Sequence, residues 1–315
     1  MATPNLKVDK SQRIDAKRNG WRTVGLTAIL GIGLIVFVFP FYWLLVASTR
    51  KSTDVFSKTP HMIPGTELFN NIRNLMTNTQ FGDAIVNSLI VSVTYVIVGG
   101  VICSLAGYAF AQYRFRGRNI LFALVIGVMA LPSQVTLVPL FKMMLSFGWL
   151  GTYQALILPD LALPFGVFLM RQAMSTFPTS IVEAARIDGA GEMRIFGTIV
   201  LPTMKPTLAA LAIFMFLGRW NDFVYPLVIT RTPEQYTLPV ALATLQGANT
   251  TDYGQLLAGT TISILPVLIL FLFLQKGIRV WHDGGICQGV TCSGAKEGTG
   301  KDGSYAFGSF QGHAA

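Results

Sequence analysis

Apolar residues along this chain fall into six long runs separated by short polar segments, near 24–47, 84–109, 119–145, 154–174, 206–229 and 257–275. Crossing the hydrocarbon core of a bilayer as a helix takes about 20 mostly apolar residues. Each run is long enough, so the pattern predicts an all-α membrane protein with six transmembrane helices. The first run has an apolar core too long for a secretory leader and lacks an evident small-residue cleavage site, so it reads as an uncleaved anchor.

Composition strengthens this reading. Hydrophobic residues make up 52% and charged residues 12%, and the mean hydropathy is +0.53. A soluble domain carries about 25% charged residues, so a water-facing globule would lack polar surface. The net charge of +9 does not point to nucleic acid, because the basic residues sit between apolar runs and not on one face with stacking aromatics. They instead fix orientation. Lys7, Lys10, Arg13, Lys17, Arg18 and Arg22 precede the first run, and Arg114, Arg116 and Arg118 follow the second. Arg171, Arg186, Arg194 and Lys205 lie between the fourth and fifth, and Lys276 and Arg279 follow the sixth. Basic residues collect on the cytoplasmic side, so both termini are expected in the cytoplasm and residues 1–23 form a basic cytoplasmic segment.

The runs are interrupted from within. Pro132, Pro139, Pro159, Pro164, Pro226 and Pro266 each remove a helical hydrogen bond. A membrane tolerates this where neighbouring helices or water satisfy the freed groups. Ser133, Gln134 and Thr136 add polarity to the third run, and Asp160, Arg219 and Asp222 place charge near the fourth and fifth. Intramembrane charge normally faces a cavity or a partner. Gln134, Trp220, Asn221 and Asp222 are therefore the candidate pathway residues, with Trp220 offering a ring to a polar solute. Structural roles stand beside this: Asp222 pairing with Arg219, and Asn87 and Ser88 joining helices.

The most informative polar segment is the loop 179–204, expected on the cytoplasmic side. It reads as two short helices joined at glycine. Ser180 with Glu183 three residues on predicts a capping box, and Gly189 after Asp188 suits a helix C-cap. A second helix is expected over about 191–200, with Met193, Phe196, Ile199 and Val200 as its apolar stripe. Ala184, Ala185, Gly189, Ala190 and Gly191 give a small-residue surface that another protein's backbone can approach. Helix-in-groove docking is a known recognition mode.

Glu183-Ala184-Ala185, Asp188-Gly189-Ala190 and Ile199-Val200-Leu201-Pro202 resemble the EAA signature of ABC-importer permeases. Asn87-Ser88-Leu89, Ala106-Gly107-Tyr108-Ala109, Trp220-Asn221-Asp222 and Thr237-Leu238-Pro239-Val240 extend the likeness to MalG-like permeases of carbohydrate importers, over roughly residues 24–276. The resemblance implies a type I ABC-importer permease fold in a bacterial inner membrane. It also implies that Glu183, Ala184, Ala185, Asp188, Gly189, Ala190, Leu201 and Pro202 dock on a cytoplasmic ATPase. Further implied partners are a second, MalF-like permease, an ATPase dimer carrying ATP-Mg, and an extracytoplasmic sugar-binding protein. No cofactor is expected on the chain itself.

Residues 277–315 depart from the pattern. They are glycine-rich, lack apolar periodicity and read as disordered. Reading permitted codons one nucleotide later gives Phe-Val-Ser-Gly-Met-Met-Ala-Gly-Ser-Val-Lys-Gly, which resembles the family's ending; a frameshift after Lys276 would account for this. The segment GAKEGTGKDGS is not a P-loop, since Asp302 follows Lys301. His61, His282 and His313 are scattered, and no catalytic or metal-ligating set emerges. The alternatives are an ion-coupled carrier, a non-sugar ABC permease and a membrane-embedded enzyme. The carrier reading lacks a clear internal repeat.

Overall fold

The computed structural model describes residues 10–55, 62–247 and 251–285. Among these the chain is helical, apart from one isolated β-bridge between Gln246 and Thr251. The helices are α1 (Lys10–Ser48), α2 (Ser52–Val55), α3 (Leu68–Asn78), α4 (Phe81–Gln112), α5 (Arg118–Val128), α6 (Ser133–Ser146), α7 (Tyr153–Ile157), α8 (Pro164–Ser175) and α9 (Thr179–Ile187). Then come α10 (Glu192–Thr203), whose middle is a π-helical turn over Ile195–Val200, α11 (Lys205–Trp220), α12 (Val224–Ile229), α13 (Leu238–Thr244) and α14 (Tyr253–Gly285).

Three helices are long and apolar enough to cross a bilayer alone: Thr23–Ser48 within α1, α4, and Tyr253–Leu274 within α14. The other expected spans are broken. The third is two helices, α5 and α6, bent by 100°. The fifth ends at Trp220 and restarts as α12, while its start turns 83° away from α10. The fourth comprises α7, an irregular stretch and the 12-residue α8. Counting each bent pair as one gives five spans by length and composition. The breaks in the third and fourth lie at prolines. Pro132 caps α6 and Pro164 opens α8, where a ring at the first turn is tolerated but cannot continue a preceding helix. Pro139 and Pro266 instead stay inside their helices.

α4 is the central post and packs on α8 and α11, while α14 packs on α11, α1 and α3. Small residues permit the closest approach. A Cβ added at Gly107 would lie 2.6 Å from Cβ of Met170 and 2.8 Å from N of Arg171. Such contacts are how helices pack in a membrane, where lipid is as apolar as the side chains. The largest core cluster unites Tyr95, Cys103 and Tyr108 of α4, Val167, Met170 and Met174 of α8, Leu211 and Met215 of α11, and Val182, Ile195, Phe196 and Val200 of α9 and α10. The polar loop is thus built on the same core as the long helices.

α14 runs on to Gly285, past the boundary expected at Lys276. Residues 277–285, expected to be disordered, are therefore helical, and the segment read as a frameshifted ending begins within this helix; residues 286–315 lie outside the described residues.

Candidate functional site

Two regions hold the residues singled out from sequence. The first is the α9–α10 loop. α9 begins at Thr179 with Pro178 as N-cap and no side-chain cap. The expected capping box therefore does not form: Ser180 already lies inside the first turn. The C-terminal expectation holds. Gly189 has φ +79, its N–H donates to O of Arg186, and Ala190 N–H donates to O of Ala185, both at 3.0 Å. These are the paired bonds of a Schellman cap, where glycine takes the left-handed conformation at little cost.

The eight expected docking residues divide between two faces. Ala185 is buried, and Ala190 and Leu201 pack against the core. Glu183, Ala184, Asp188, Gly189 and Pro202 are exposed. The expected stripe also divides: Phe196 and Val200 are buried and Ile199 is half-buried, but Met193 is 71% exposed. Ile187, beside the glycine turn, is 86% exposed. Ile187, which the sequence pattern did not mark, and Met193, which it placed on the buried stripe, give the outer face apolar knobs.

Across the turn a polar clasp holds the loop to α4. Arg186 Nε donates to Glu192 Oε1 at 2.6 Å, and Tyr113 Oη donates to Glu192 Oε2 at 2.6 Å. Tyr108 Oη lies 3.4 Å from the same oxygen. Hydrogen bonds from Arg186, then from Tyr113, hold the Glu192 carboxyl below the usual carboxylate range. The Tyr113 phenol is pushed up, first by burial and then by its bond to Glu192. Sequence reasoning missed the clasp; its signal is the opposite charges of Arg186 and Glu192 flanking the glycine turn.

The second region lies where the third and fourth expected spans are broken. A cavity of about 500 Å³ is lined by residues of α4, α6, α8 and α11 and by the breaks themselves, including Tyr95, Ser133, Thr136, Asp160, Phe165 and Arg219. A second, of about 280 Å³, shares Ser133, Thr136, Asp160, Gly218 and Arg219 and adds Gln134 and Asp222. Arg219 organises both. Its side chain is only 9% exposed; Nη1 donates to Asp222 Oδ2 at 3.2 Å, and Nη2 donates to O of Pro159 at 2.9 Å. Asp160 Oδ2 stands 3.7 Å away, and the guanidinium lies 4.4 Å from the Tyr95 ring centroid. Tyr95 Oη donates to O of Asp160 at 2.9 Å.

Of the four candidate pathway residues, Gln134 and Asp222 line this region. Trp220 does not present its ring to a solute there. It is 2% exposed, stacks on Phe216 and donates its indole N–H to O of Ser263 at 3.1 Å. Asn221 is exposed and donates to O of Leu217. Asn87 and Ser88 join segments as expected: Asn87 Nδ2 donates to O of Glu234 and O of Tyr236, Tyr153 Oη donates to Asn87 Oδ1, and Leu238 N–H donates to Ser88 Oγ. Tyr95 lies inside the second apolar run, and no local sequence signal sets it apart from its neighbours.

Comparison with known proteins adds to this geometry. Residues 97–279 match the family described as binding-protein-dependent transport system inner membrane component. The chain is 39% identical over 256 residues to the arabinooligosaccharides transport system permease protein AraQ of Halalkalibacterium halodurans, covering 78% of this chain and 90% of that one. It is 31% identical to the sn-glycerol-3-phosphate transport system permease protein UgpE of Escherichia coli O1:K1, covering 81% and 94%. Among solved structures, a bacterial ABC transporter involved in the import of the acidic polysaccharide alginate superposes with a TM-score of 0.71 at 23% identity, over 87% of this chain and 99% of that one.

Proposed function

The chain belongs to the binding-protein-dependent transport system inner membrane component family, and from that premise we propose that it is one permease subunit of an ATP-driven oligosaccharide importer. It is a multi-pass protein of the bacterial inner membrane. The breaks in the third to fifth apolar runs belong to six crossings, with both termini in the cytoplasm, as the distribution of basic residues favours. A second permease completes the pathway and an extracytoplasmic binding protein delivers the sugar. A cytoplasmic ATPase dimer supplies the work, and the ATP-Mg resides there.

The observation that carries this reading is the α9–α10 loop: glycine-capped, apolar at Ile187 and Met193 on its outer face, and continuous with the transmembrane core on its inner face. Such an element can both dock in a groove and pass on motion. Docking alone drives nothing; ATP must bind the two states of the ATPase with different affinity. The likeness to UgpE supports a rival reading in which the cargo is sn-glycerol 3-phosphate in place of an oligosaccharide, and uptake assays with both solutes decide between them.

The decisive experiment is ATP-driven uptake in vesicles bearing Glu183→Lys or Gly189→Asp. Both variants should insert normally, lose the co-purifying ATPase and lose uptake. Full transport in both would overturn the docking assignment.

A further inference from the structure

We propose that the pair of cavities around Arg219 is a solute subsite carried by this subunit itself, shaped for an uncharged, hydroxyl-rich oligosaccharide and biased against anionic solutes. The inference rests on the importer reading and adds to it a place and a charge preference.

Size and lining come first. About 500 Å³ lies within the ~300–1,000 Å³ typical of small-molecule sites. The lining mixes the rings of Tyr95 and Phe165 with the hydroxyls of Ser133 and Thr136 and the carboxylate of Asp160. Ring faces suit the C–H faces of a sugar, while hydroxyls and carboxylates suit its O–H groups. The smaller chamber, about 280 Å³, adjoins through five shared lining residues. Two chambers around one charge cluster suit an occupant longer than a single ring.

Charge comes second. Arg219 is the one cation lining either chamber among the described residues. Two of its five N–H donors are engaged, one by Asp222 and one by O of Pro159, with Asp160 beside them. One guanidinium against two carboxylates leaves the cluster net negative. A carboxylate- or phosphate-bearing solute would meet net repulsion from the second carboxylate, whereas a hydroxyl can donate to the same oxygens.

Backbone conformation comes third. Asp160 has φ +63, unique among the described non-glycine residues. Glycine would hold this turn with less strain. The Asp160 side chain is 68% exposed, and its one ion pair is a long 3.7 Å contact. Packing does not explain a carboxylate here; its place on the wall of both chambers does. Retained strain of this kind marks functional positions.

The test uses the assembled importer in nanodiscs, with Thr136→Cys as reporter because Thr136 lines both chambers. Thiol modification at position 136 is followed by mass spectrometry with millimolar maltotriose, arabinotriose or trigalacturonate. A neutral trisaccharide should slow modification severalfold, and trigalacturonate should not. Adding Asp160→Gly should abolish protection while the melting temperature holds or rises, since glycine suits φ +63. Adding Asp160→Asn should let trigalacturonate protect. Protection by none of the three, equal protection by trigalacturonate without that change, or unchanged protection with lowered melting in Asp160→Gly would each overturn the subsite. ATP-driven uptake by the unmodified importer is measured in parallel. Intact sugar uptake without protection at position 136 removes the subsite and leaves the importer reading standing; absence of any sugar uptake removes both.

Discussion

Glu192 ties the loop to the end of α4 through Arg186 and Tyr113. Because its carboxyl is held low in the folded protein, the clasp is fully present above the ordinary carboxylate pKa. It is lost as pH falls through the lowered value. Thermal unfolding in detergent, followed from neutral pH to about pH 3, should show an acid-side decline that Glu192→Gln flattens. At neutral pH the cost of that variant should be small, about 0.5 kcal/mol, because the pair is more than a third exposed. Tyr113→Phe removes a hydrogen bond to a charged acceptor and should cost about 1 kcal/mol by the same assay. Single residues were the least legible level of the sequence. Trp220 reads as a solute-facing ring because a Trp-Asn-Asp stretch is polar on paper. Only packing against Phe216 and Ser263 reveals it as core. Asp222 and Arg219 were readable as partners because they lie three residues apart near a helix end.

At the level of elements, apolar runs forecast where helices form, and prolines marked two of the breaks, at Pro132 and Pro164, while Pro139 and Pro266 stayed inside helices. What they could not forecast was angle. A 100° bend between α5 and α6 follows from how Pro132 and the preceding turn meet neighbouring helices, and no periodicity encodes that. The glycine cap of α9 was legible because only glycine takes φ +79 without penalty. Gly189→Ala should cost about 1 kcal/mol, read as lowered melting with normal insertion, since a Cβ there meets no neighbour. Gly107→Ala should cost more, about 1–3 kcal/mol, because the added carbon overlaps Met170 and the backbone of Arg171 and must push α8 from α4. Detergent melting of the two variants side by side distinguishes local strain from separated helices.

The whole molecule is under-packed as an isolated chain. Only 6% of the α1 span and 11% of the α14 span are buried. Ile29, Leu30 and Phe37 of α1 stand fully outward. Apolar surface of this extent needs lipid or a second permease over it. Co-expression with a partner permease should raise the steady-state level of this chain severalfold on immunoblots of membranes, with unchanged transcript. An equal level in its absence would show that lipid alone suffices.

The shared core of loop and long helices has a mechanical consequence. Val182 and Ile195 sit in one packed cluster with Met170 and Met174, and close-packed interiors transmit strain instead of absorbing it. A displacement of α9 and α10 would therefore be passed directly to α8, which shares that cluster. Play between the two parts is limited by the tightly packed side chains they hold in common.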